Sequence, residues 1–228
     1  MRSAVLAALV VALAVAPLAE AVGEPKQAIT KADQARARSV LLQRGDLGAG
    51  FVARRQTDSE LPDDPKCRSL RESDLTITGD ASSPDFTLQA TGALVTVGST
   101  AQVYRTVREA NASWARGTGS QAATCLAALV RRSAGTGQRI EVVSSKIVAF
   151  PKLAPKTVAF RLVARLTAGA TTATVYFDAV VVQRGRIQTG IVFTSVGRPI
   201  PRSEATTLAR VVAKRLATAA GASSGPVA

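Results

Sequence analysis

From Arg139 onward, apolar and polar residues alternate, which is the pattern of β-strands. The apolar positions of the first two clear strands are Val158, Phe160, Leu162, Ala164 and Leu166, then Ala173, Val175, Phe177, Ala179 and Val181. A turn at residues 168–171 that pairs Thr167 with Thr172 brings Leu162 opposite Phe177. The same register sets Arg161 opposite Asp178 on the other face, so the pattern predicts an antiparallel hairpin with a cross-strand ion pair.

A third strand is predicted over residues 186–196, in which Ile187, Thr189, Ile191 and Phe193 are in phase. A two-residue turn at Arg184-Gly185 puts Ile191 against Asp178. A three-residue loop with Gly185 in a left-handed bulge puts it against Phe177, and we therefore expect that loop. Residues 140–150 predict a further strand, whose phase the sequence leaves open.

The first two-thirds of the chain predicts helices and short strands. Thr30 and Asp33 are expected to cap a helix that runs to Arg44, and short strands are expected at 75–78, 86–90 and 93–97. A helix is expected to begin at Ser99 or Thr100 and to bury the apolar stripe Val103, Val107, Ala110 and Trp114. The helix after it is expected to bury the stripe Ala122, Cys125, Leu129 and Val130. Ser203 is expected to begin a last helix whose core face is Ala205, Leu208, Val212, Leu216 and Ala219.

The order of these elements predicts one α+β domain over residues 31–220. Strands and helices occur in runs without strict alternation, which favours an antiparallel sheet, here of about six strands, flanked by helices. The sheet would end in a three-strand meander followed by a C-terminal helix. Residues 22–30 are expected to be a flexible lead, and residues 221–228 a disordered tail.

The N-terminus has the features of a secretion signal. Arg2 precedes an apolar run over residues 4–16, and Ala19-Glu20-Ala21 supplies the small-x-small pattern of a cleavage site. We expect a signal peptide over residues 1–21 and a secreted, extracytoplasmic protein. The alternative is an uncleaved anchor, although the run ends at Pro17, short of a bilayer span.

Export makes the cysteine pair a predicted disulfide. The chain has two cysteines, Cys67 and Cys125, and thiols outside the cytoplasm oxidise and stay oxidised. A redox-active pair is the alternative, but the close C-x-x-C spacing that lowers a thiol pKa is missing. We therefore expect a structural bridge.

Positive charge is concentrated in the C-terminal part of the chain. The 228 residues carry a formal net charge of +13, and residues 86–228 contain only Glu109, Glu141, Asp178 and Glu204 as acidic residues. The positive electrostatic field of this region attracts anionic partners. Outside the cytoplasm, an envelope polymer or an anionic lipid is the expected partner. A nucleic-acid partner is not expected, because basic runs interleaved with aromatic residues are missing. A role in solubility alone is the other alternative.

The composition excludes several kinds of chemistry. Without histidine there is no Ser-His-Asp triad and no histidine-bound metal, and no phosphate-binding loop motif occurs. The carboxylates Asp58, Glu60, Asp63 and Asp64 lack the spacing of a calcium loop. We expect no metal, no cofactor and no catalytic residue. The alternatives are a carboxylate-dependent hydrolase of wall polymer and a purely structural exported protein.

The second face of the predicted meander is the candidate ligand groove. It would display Arg161, Val163, Arg165, Tyr176, Asp178, Val192 and Thr194, with Gly190 leaving space opposite Asp178. We take Arg161, Arg165, Tyr176, Asp178 and Gly190 as the candidate binding residues for an anionic or amphiphilic ligand. Coverage of this face by a helix is the alternative.

Short motifs resemble small exported proteins of actinobacteria. These motifs are Leu41-Leu42, Asp46-Leu47 and Gly50-Phe51, then Cys67, Ser113-Trp114 and Cys125, then the meander and final helix. Over residues 32–219 the chain resembles the PknH-like extracellular sensor domain family and its related secreted proteins and lipoproteins. The resemblance implies an antiparallel sheet flanked by helices, a role in sensing or binding an envelope ligand, and no established catalysis. This chain differs in having no kinase, no lipid-anchor cysteine and one cysteine pair where the kinase domains look to have two.

Overall fold

The computed structural model describes residues 24–55, 64–90 and 93–221. The predicted signal peptide, the tail beyond Gly221 and three of the loop carboxylates, Asp58, Glu60 and Asp63, lie outside the described residues.

The described residues form a mixed α+β fold, as predicted. The strands are β1 Lys26–Gln27, β2 Val52–Arg54, β3 Thr76–Ser82, β4 Asp85–Ala90, β5 Ala93–Tyr104, β6 Gln138–Val148, β7 Lys156–Ala168, β8 Thr171–Arg184 and β9 Ile187–Val196. The helices are α1 Lys31–Val40, α2 Val107–Thr118, α3 Ser120–Arg132 and α4 Arg202–Gly221, with short 3₁₀ helices at Arg44–Asp46 and Pro65–Leu70.

The strands make one sheet that is mostly antiparallel. Its order is β1-β3-β5-β9-β8-β7-β6, with β4 beside β5 and β2 beside β4. Strands β3 and β4 follow each other along the same side of β5, interrupted where Ser83 bonds to Ser99. Strand β1 pairs in parallel with β3, so residues expected to be a flexible lead extend the sheet instead.

Helices cover both faces of the sheet. On one face, called here the α4 face, Val180, Ile191 and Phe193 pack under Leu208 and Val212 of α4. The opposite face is called the α3 face; on it Leu162, Leu166 and Val175 pack against Ala127 and Val130 of α3. The result is a sheet between two helical layers, each burying an apolar stripe.

The close packing of α1 on the sheet depends on a glycine. Gly79 of β3 lies directly against the backbone of α1, and a Cβ at this position would overlap the carbonyl group of Asp33. Thr30 caps α1 through a bond from the Asp33 amide to its Oγ1 (3.1 Å), as predicted. The helix ends at Val40 and not at Arg44, because residues 44–46 wind into a separate 3₁₀ turn.

The second predicted helix begins later than expected. Strand β5 continues to Tyr104, so Val103 is a buried strand residue and the helix begins at Val107. Thr106 and Glu109 form the capping box that begins it, each side chain bonding to the other's backbone amide. Cross-strand pairing with β9 outweighs the helical spacing that suggested an earlier start.

A β-bulge explains why the phase of β6 could not be predicted. The pairing of β6 with β7 shifts by one residue between Val142 and Ser144. Ile140 and Val142 therefore face the α3 side, whereas the even-numbered residues after the bulge face the α4 side. One extra residue exchanges the faces of every later side chain.

The β7–β8 hairpin has the predicted register. Thr167 pairs with Thr172, Leu162 with Phe177 and Arg161 with Asp178. Ala168 and Thr171 also pair, so the turn is tighter than expected and has Gly169 at φ +55°.

The predicted register of β9 is wrong. Ile191 pairs with Val180 and not with Phe177, because the turn consists of two residues, Gly185 and Arg186. Gly185 has φ +58°, a conformation that suits the first central position of a two-residue hairpin turn. Residues 180–182 are all valine, so this end of β8 is apolar on both faces and the hydrophobic pattern could not select the register.

The predicted disulfide between Cys67 and Cys125 is present. The two Cα atoms are 4.9 Å apart, and both cysteines are fully buried beside Leu129. The bridge ties the 3₁₀ helix at Pro65–Leu70 to α3, and thereby to the α3 face of the sheet. The core face predicted for the last helix is confirmed, since its five residues are all buried.

Candidate functional site

Four of the five candidate groove residues lie on one surface. Arg161 and Arg165 of β7 and Tyr176 and Asp178 of β8 all face the α4 side. Val163 pairs directly with Tyr176, so an apolar pair lies between the Arg161 and Arg165 positions. Lys146 of β6 pairs with Arg161 on the same face. We call Lys146, Arg161, Val163, Arg165 and Tyr176 the Arg–Tyr surface.

The Arg–Tyr surface is only partly covered. Helix α4 packs over the half of this face that contains Ala159, Val180 and Phe193. Val163 and Tyr176 are partly exposed, and the Arg165 side chain keeps 57% of its accessible area. In the described part of the chain, neither of the two apolar residues belongs to a packed core cluster. This end of the sheet therefore presents apolar and basic side chains together.

Arg161 and Asp178 form the predicted ion pair. The Nε atom of Arg161 donates to Oδ1 of Asp178 at 2.6 Å, and Nη2 donates to Oδ2 at 3.0 Å. The hydrogen bonds to Asp178 raise the pKa of Arg161 above its ordinary value, with burial opposing them. Because Asp178 is buried, the charge of Arg161 is largely neutralised within the fold.

Arg165 and Lys146 are less engaged. Arg165 is 3.8 Å from Glu141, and both side chains of this pair are mostly exposed. An exposed pair at that distance contributes little to stability. Lys146 is exposed on the edge strand, and no ion pair of it is found among the described residues. These two side chains are the ones on this surface that can meet an external anion.

Gly190 is not part of this surface. In the observed register it pairs with Val181 of β8 and Thr100 of β5, on the α3 face. Val192 and Thr194 share that face, so the prediction that they lie beside Asp178 is wrong. Phe193 is opposite Asp178 instead. The error follows from the register of β9.

Arg186 has a structural role at the opposite end of the sheet. Its guanidinium donates to both oxygens of Asp33, at 3.2 and 3.3 Å, and to the carbonyl of Tyr104 at 2.8 Å. Burial alone would raise the pKa of Asp33, but hydrogen bonds from Thr78, Arg186 and Arg36 outweigh it and lower that pKa. This network joins α1 to β3 and to the β8–β9 turn.

Sequence reasoning missed a buried polar cluster beneath α2. The Tyr104 hydroxyl is 2.7 Å from Ser113 Oγ, 2.9 Å from Gln102 Oε1 and 3.1 Å from Glu72 Oε2. Burial raises the pKa of Glu72 above its ordinary value, although bonds from Ser113 and Tyr104 oppose this. The residues come from a loop, a strand and a helix, and no spacing in the sequence indicates that they meet.

Glu109, Asp64 and Asp74 are each paired with an arginine. Glu109 completes the cap of α2 and is 2.8 Å from Arg105, and Asp64 caps the 3₁₀ helix and pairs with Arg132 at 2.9 Å. Two nitrogens of Arg116 bind the oxygens of Asp74, which lowers the pKa of Asp74 to about 2. Within residues 24–55, 64–90 and 93–221, no group of three or more potential metal ligands occurs.

A shallow depression of about 360 Å³ lies along the outer side of α1. Its walls include two basic residues and one exposed isoleucine; the lining residues are Ile29, Thr30, Lys31, Gln34, Ala35 and Arg38. It is a second place where an anion could bind, well separated in sequence from the Arg–Tyr surface. In the portion of the chain that is described, no helix is both long and apolar enough to cross a bilayer.

Comparisons with known proteins return one structural match. No family model matches the chain, and no curated protein matches it. The chain is similar to the crystal structure of the extracellular domain of PknH from Mycobacterium tuberculosis, with 11% sequence identity, a TM-score of 0.41, and coverage of 80% of this chain and 95% of that one. This is the kind of domain that the sequence motifs resemble. At this level of similarity the match transfers no ligand, residue or role to this chain, and the family assignment remains a resemblance.

Proposed function

We propose that this protein is an exported, non-enzymatic binding module that holds an anionic polymer or an anionic lipid head group of the cell envelope on its Arg–Tyr surface. The carrying observation is the pair Val163 and Tyr176, partly exposed between arginine positions at the end of the sheet that α4 leaves free. Such a mixture suits a ligand with apolar and anionic parts.

The charges on this surface divide into two roles. Arg161 positions the surface, because its guanidinium is bound to the buried carboxylate of Asp178. Arg165 and Lys146 bind the anion, because both side chains are exposed and the contact of Arg165 with Glu141 is long. Since the surrounding C-terminal region has few acidic residues, the field near this surface favours the approach of an anion.

Export forms part of the proposal and rests on the predicted leader and the disulfide. If the leader is removed as expected, the mature chain starts at Val22. Mass spectrometry of the protein collected from the medium or from the cell envelope of the producing cells tests this directly. A mass that includes residues 1–21 would show an anchored protein instead.

Co-sedimentation with vesicles tests the binding surface. We expect the mature protein to bind vesicles that contain phosphatidylglycerol, or soluble poly(glycerol phosphate), and not vesicles of phosphatidylcholine. The double variant Lys146→Glu/Arg165→Glu should bind at least about tenfold more weakly, since each basic residue near an anionic surface contributes about 1 kcal/mol. Binding should fall as salt is raised.

A matched variant separates this surface from overall charge. Lys31→Glu/Arg38→Glu makes the same change in net charge at the depression beside α1. It should keep most of the binding. Equal loss in both double variants would show that only net charge matters, and loss in the α1 variant alone would place the ligand there; either result contradicts the proposal.

The hydrolase alternative has one observation in its favour. Glu72 has a raised pKa and the neighbouring Asp74 a lowered one, which is how acid and base roles separate in paired carboxylates. However, Glu72 is buried against Tyr104 and Ser113, and both Asp74 oxygens bind Arg116. The alternative requires that the mature protein release reducing ends from wall polymer and that Glu72→Gln abolish this release.

A further inference from the structure

Strand β6 is an open edge of the sheet. It stands beside β7 at the end of the strand order and is 11 residues long, from Gln138 to Val148. In the described part of the chain, no strand pairs with its outer side. Backbone groups along a strand point to alternate sides, so about half of the amides and carbonyls of β6 point away from β7. Such an edge can accept one more strand.

The outer backbone groups of β6 are not bonded to other elements. Among the residues that the structure describes, no backbone hydrogen bond joins residues 139–148 to any element except β7. Helix α3 contacts this strand through a side chain, since Ser145 Oγ donates to the Ala123 carbonyl at 2.9 Å. The helix therefore lies on one face of β6 and does not use its outer backbone groups.

Two apolar side chains of β6 are half-exposed. Val143 keeps 50% of its accessible surface, and Ile147 keeps 52%. Ile147 pairs with Phe160, which packs against Ala122 of α3, so Ile147 lies on the α3 face. Within the described residues, Ile147 belongs to no packed core cluster. An added strand would cover Ile147 with an apolar side chain of its own.

The other face of β6 is mainly basic. Arg139 and Lys146 lie on the α4 face, and both side chains are exposed. Arg165 of β7 lies on the same face, 3.8 Å from Glu141 of β6. A strand added beside β6 therefore meets more positive than negative charge on this face. Acidic side chains directly opposite Arg139 and Lys146 would make favourable cross-strand pairs.

A second copy of this protein does not suit the edge. Helix α3 lies along β6 on the α3 face. Two copies paired edge to edge would bring their α3 helices to within about 5 Å of each other on the same face, because that is the spacing of paired strands. Packed helices need about 8–10 Å. A single extended peptide brings no helix and avoids this conflict.

We propose that β6 binds an extended peptide segment of a partner protein as an additional strand, with the segment's acidic side chains on the α4 face and its apolar side chains on the α3 face. Backbone hydrogen bonds provide the affinity, and the alternation of side chains provides the specificity. The bulge between Val142 and Ser144 and the exposed charges disfavour an unmatched strand. The proposal does not depend on the anion site, which includes neither the backbone of β6 nor Ile147.

A blocked peptide of four valine-glutamate repeats tests the edge, because as a strand it sets every valine on one face and every glutamate on the other. In a titration of the isotope-labelled mature protein, we expect saturable amide shifts along residues 139–148. The amides of β6 that do not bond to β7 should exchange with solvent more slowly once the peptide is bound. Four proline-glutamate repeats have the same charge but lack every second amide donor, so they should bind at least about tenfold more weakly.

Variants separate strand pairing from simple attraction of an anion. Ile147→Thr should weaken peptide binding about fivefold, because it removes half-exposed apolar surface that the peptide would bury. It should leave binding of poly(glycerol phosphate) unchanged. Ile29→Thr makes the same substitution at a residue that is 45% exposed elsewhere on the surface, and should bind the peptide normally. Thermal unfolding should show both variants folded, since threonine suits a strand and neither side chain is buried.

Three results would overturn the proposal. Equal binding of the two peptides would show that charge alone attracts them. Equal loss in Ile147→Thr and Ile29→Thr, or no loss in either, would show that the apolar face of β6 is not contacted. A dimer of the unchanged protein in analytical ultracentrifugation that Ile147→Thr dissociates would show that a second copy occupies the edge.

Discussion

Arg161 and Asp178 face each other on β7 and β8, and two nitrogens of the arginine bind the two oxygens of the carboxylate. This pair lies at the border between the half of the α4 face that α4 covers and the half that stays open. Asp178 is buried opposite Phe193, whereas about a third of the Arg161 side chain is exposed. The pair therefore lies at the edge of the buried core, next to the proposed binding surface.

Removing one partner of this pair should destabilise the protein. Arg161→Leu leaves the Asp178 carboxylate buried without its cation, so we expect the free energy of unfolding to fall by about 2–3 kcal/mol. Urea denaturation of the mature protein measures this. The double variant Arg161→Leu/Asp178→Leu should recover much of the loss, because it removes the unpaired charge as well. A single variant as stable as the unchanged protein would contradict the structural role of the pair.

The disulfide should account for a large part of the stability. Cys67 and Cys125 are separated by 58 positions, and closing a loop of this length restricts the unfolded chain by about 4 kcal/mol. We therefore expect Cys67→Ala/Cys125→Ala to unfold at markedly lower urea concentration. Dithiothreitol should lower the midpoint of the unchanged protein and leave that of the variant where it was. A midpoint insensitive to both changes would contradict this expectation.

Gly79 should tolerate no side chain. Its missing Cβ allows α1 to lie on β3, and an alanine there would overlap the Asp33 carbonyl, so the helix must move away from the sheet. We expect Gly79→Ala to cost about 3 kcal/mol in the free energy of unfolding. Gly45→Ala is the matched control, because a Cβ on Gly45 meets no described atom within 4 Å. Equal stability of the two variants would show that α1 is placed differently.

Glu72 should make the protein less stable as the pH rises. Because burial raises its pKa above the ordinary 4.5, the folded state holds this proton more tightly than the unfolded chain. The unfolded chain binds fewer protons between the two pKa values, so the free energy of unfolding falls as pH rises through that range. Glu72→Gln cannot ionise and should lack this part of the pH dependence.

Asp33 should contribute the opposite pH dependence of stability, so the effect of Glu72 has to be measured as a difference between two variants. The pKa of Asp33 is lowered in the fold, so its stabilising contribution is present at neutral pH and is lost as the pH falls. The difference between Glu72→Gln and the unchanged protein isolates Glu72 from such groups. Chemical denaturation at several pH values between 4 and 8 gives that difference, and parallel curves would rule out a raised pKa at Glu72.

The sequence predicted the β7–β8 hairpin because several constraints agree there. Only one phase of each strand makes an apolar stripe, and the same phase pairs Arg161 with Asp178. Strand β9 lacked such constraints, because β8 has three consecutive valines at residues 180–182 and is therefore apolar on both faces there. Glycine marks both hairpin turns in the sequence, since Gly169 and Gly185 each occupy the first position of a two-residue turn with positive φ.

The candidate site was predictable to the same extent as the strand register. Arg161, Arg165, Tyr176 and Asp178 share a surface because the hairpin was predicted correctly, whereas Gly190 was assigned to the wrong face. The alignment of Gln102, Gln188 and Gln183 across three strands likewise follows only from the correct β8–β9 turn. The Glu72–Tyr104–Ser113 cluster depends on how the loop that follows the 3₁₀ helix at Pro65–Leu70 packs under α2. The local sequence contains no signal for this packing.

Nuclear magnetic resonance can locate the residues that contact the anion. Poly(glycerol phosphate) would be titrated into the isotope-labelled mature protein at low and at high salt. We expect the largest shifts at the amides of Lys146, Arg165 and Tyr176, and we expect these shifts to shrink as salt is raised. Shifts centred on Lys31 and Arg38, or spread evenly over all basic residues, would contradict it.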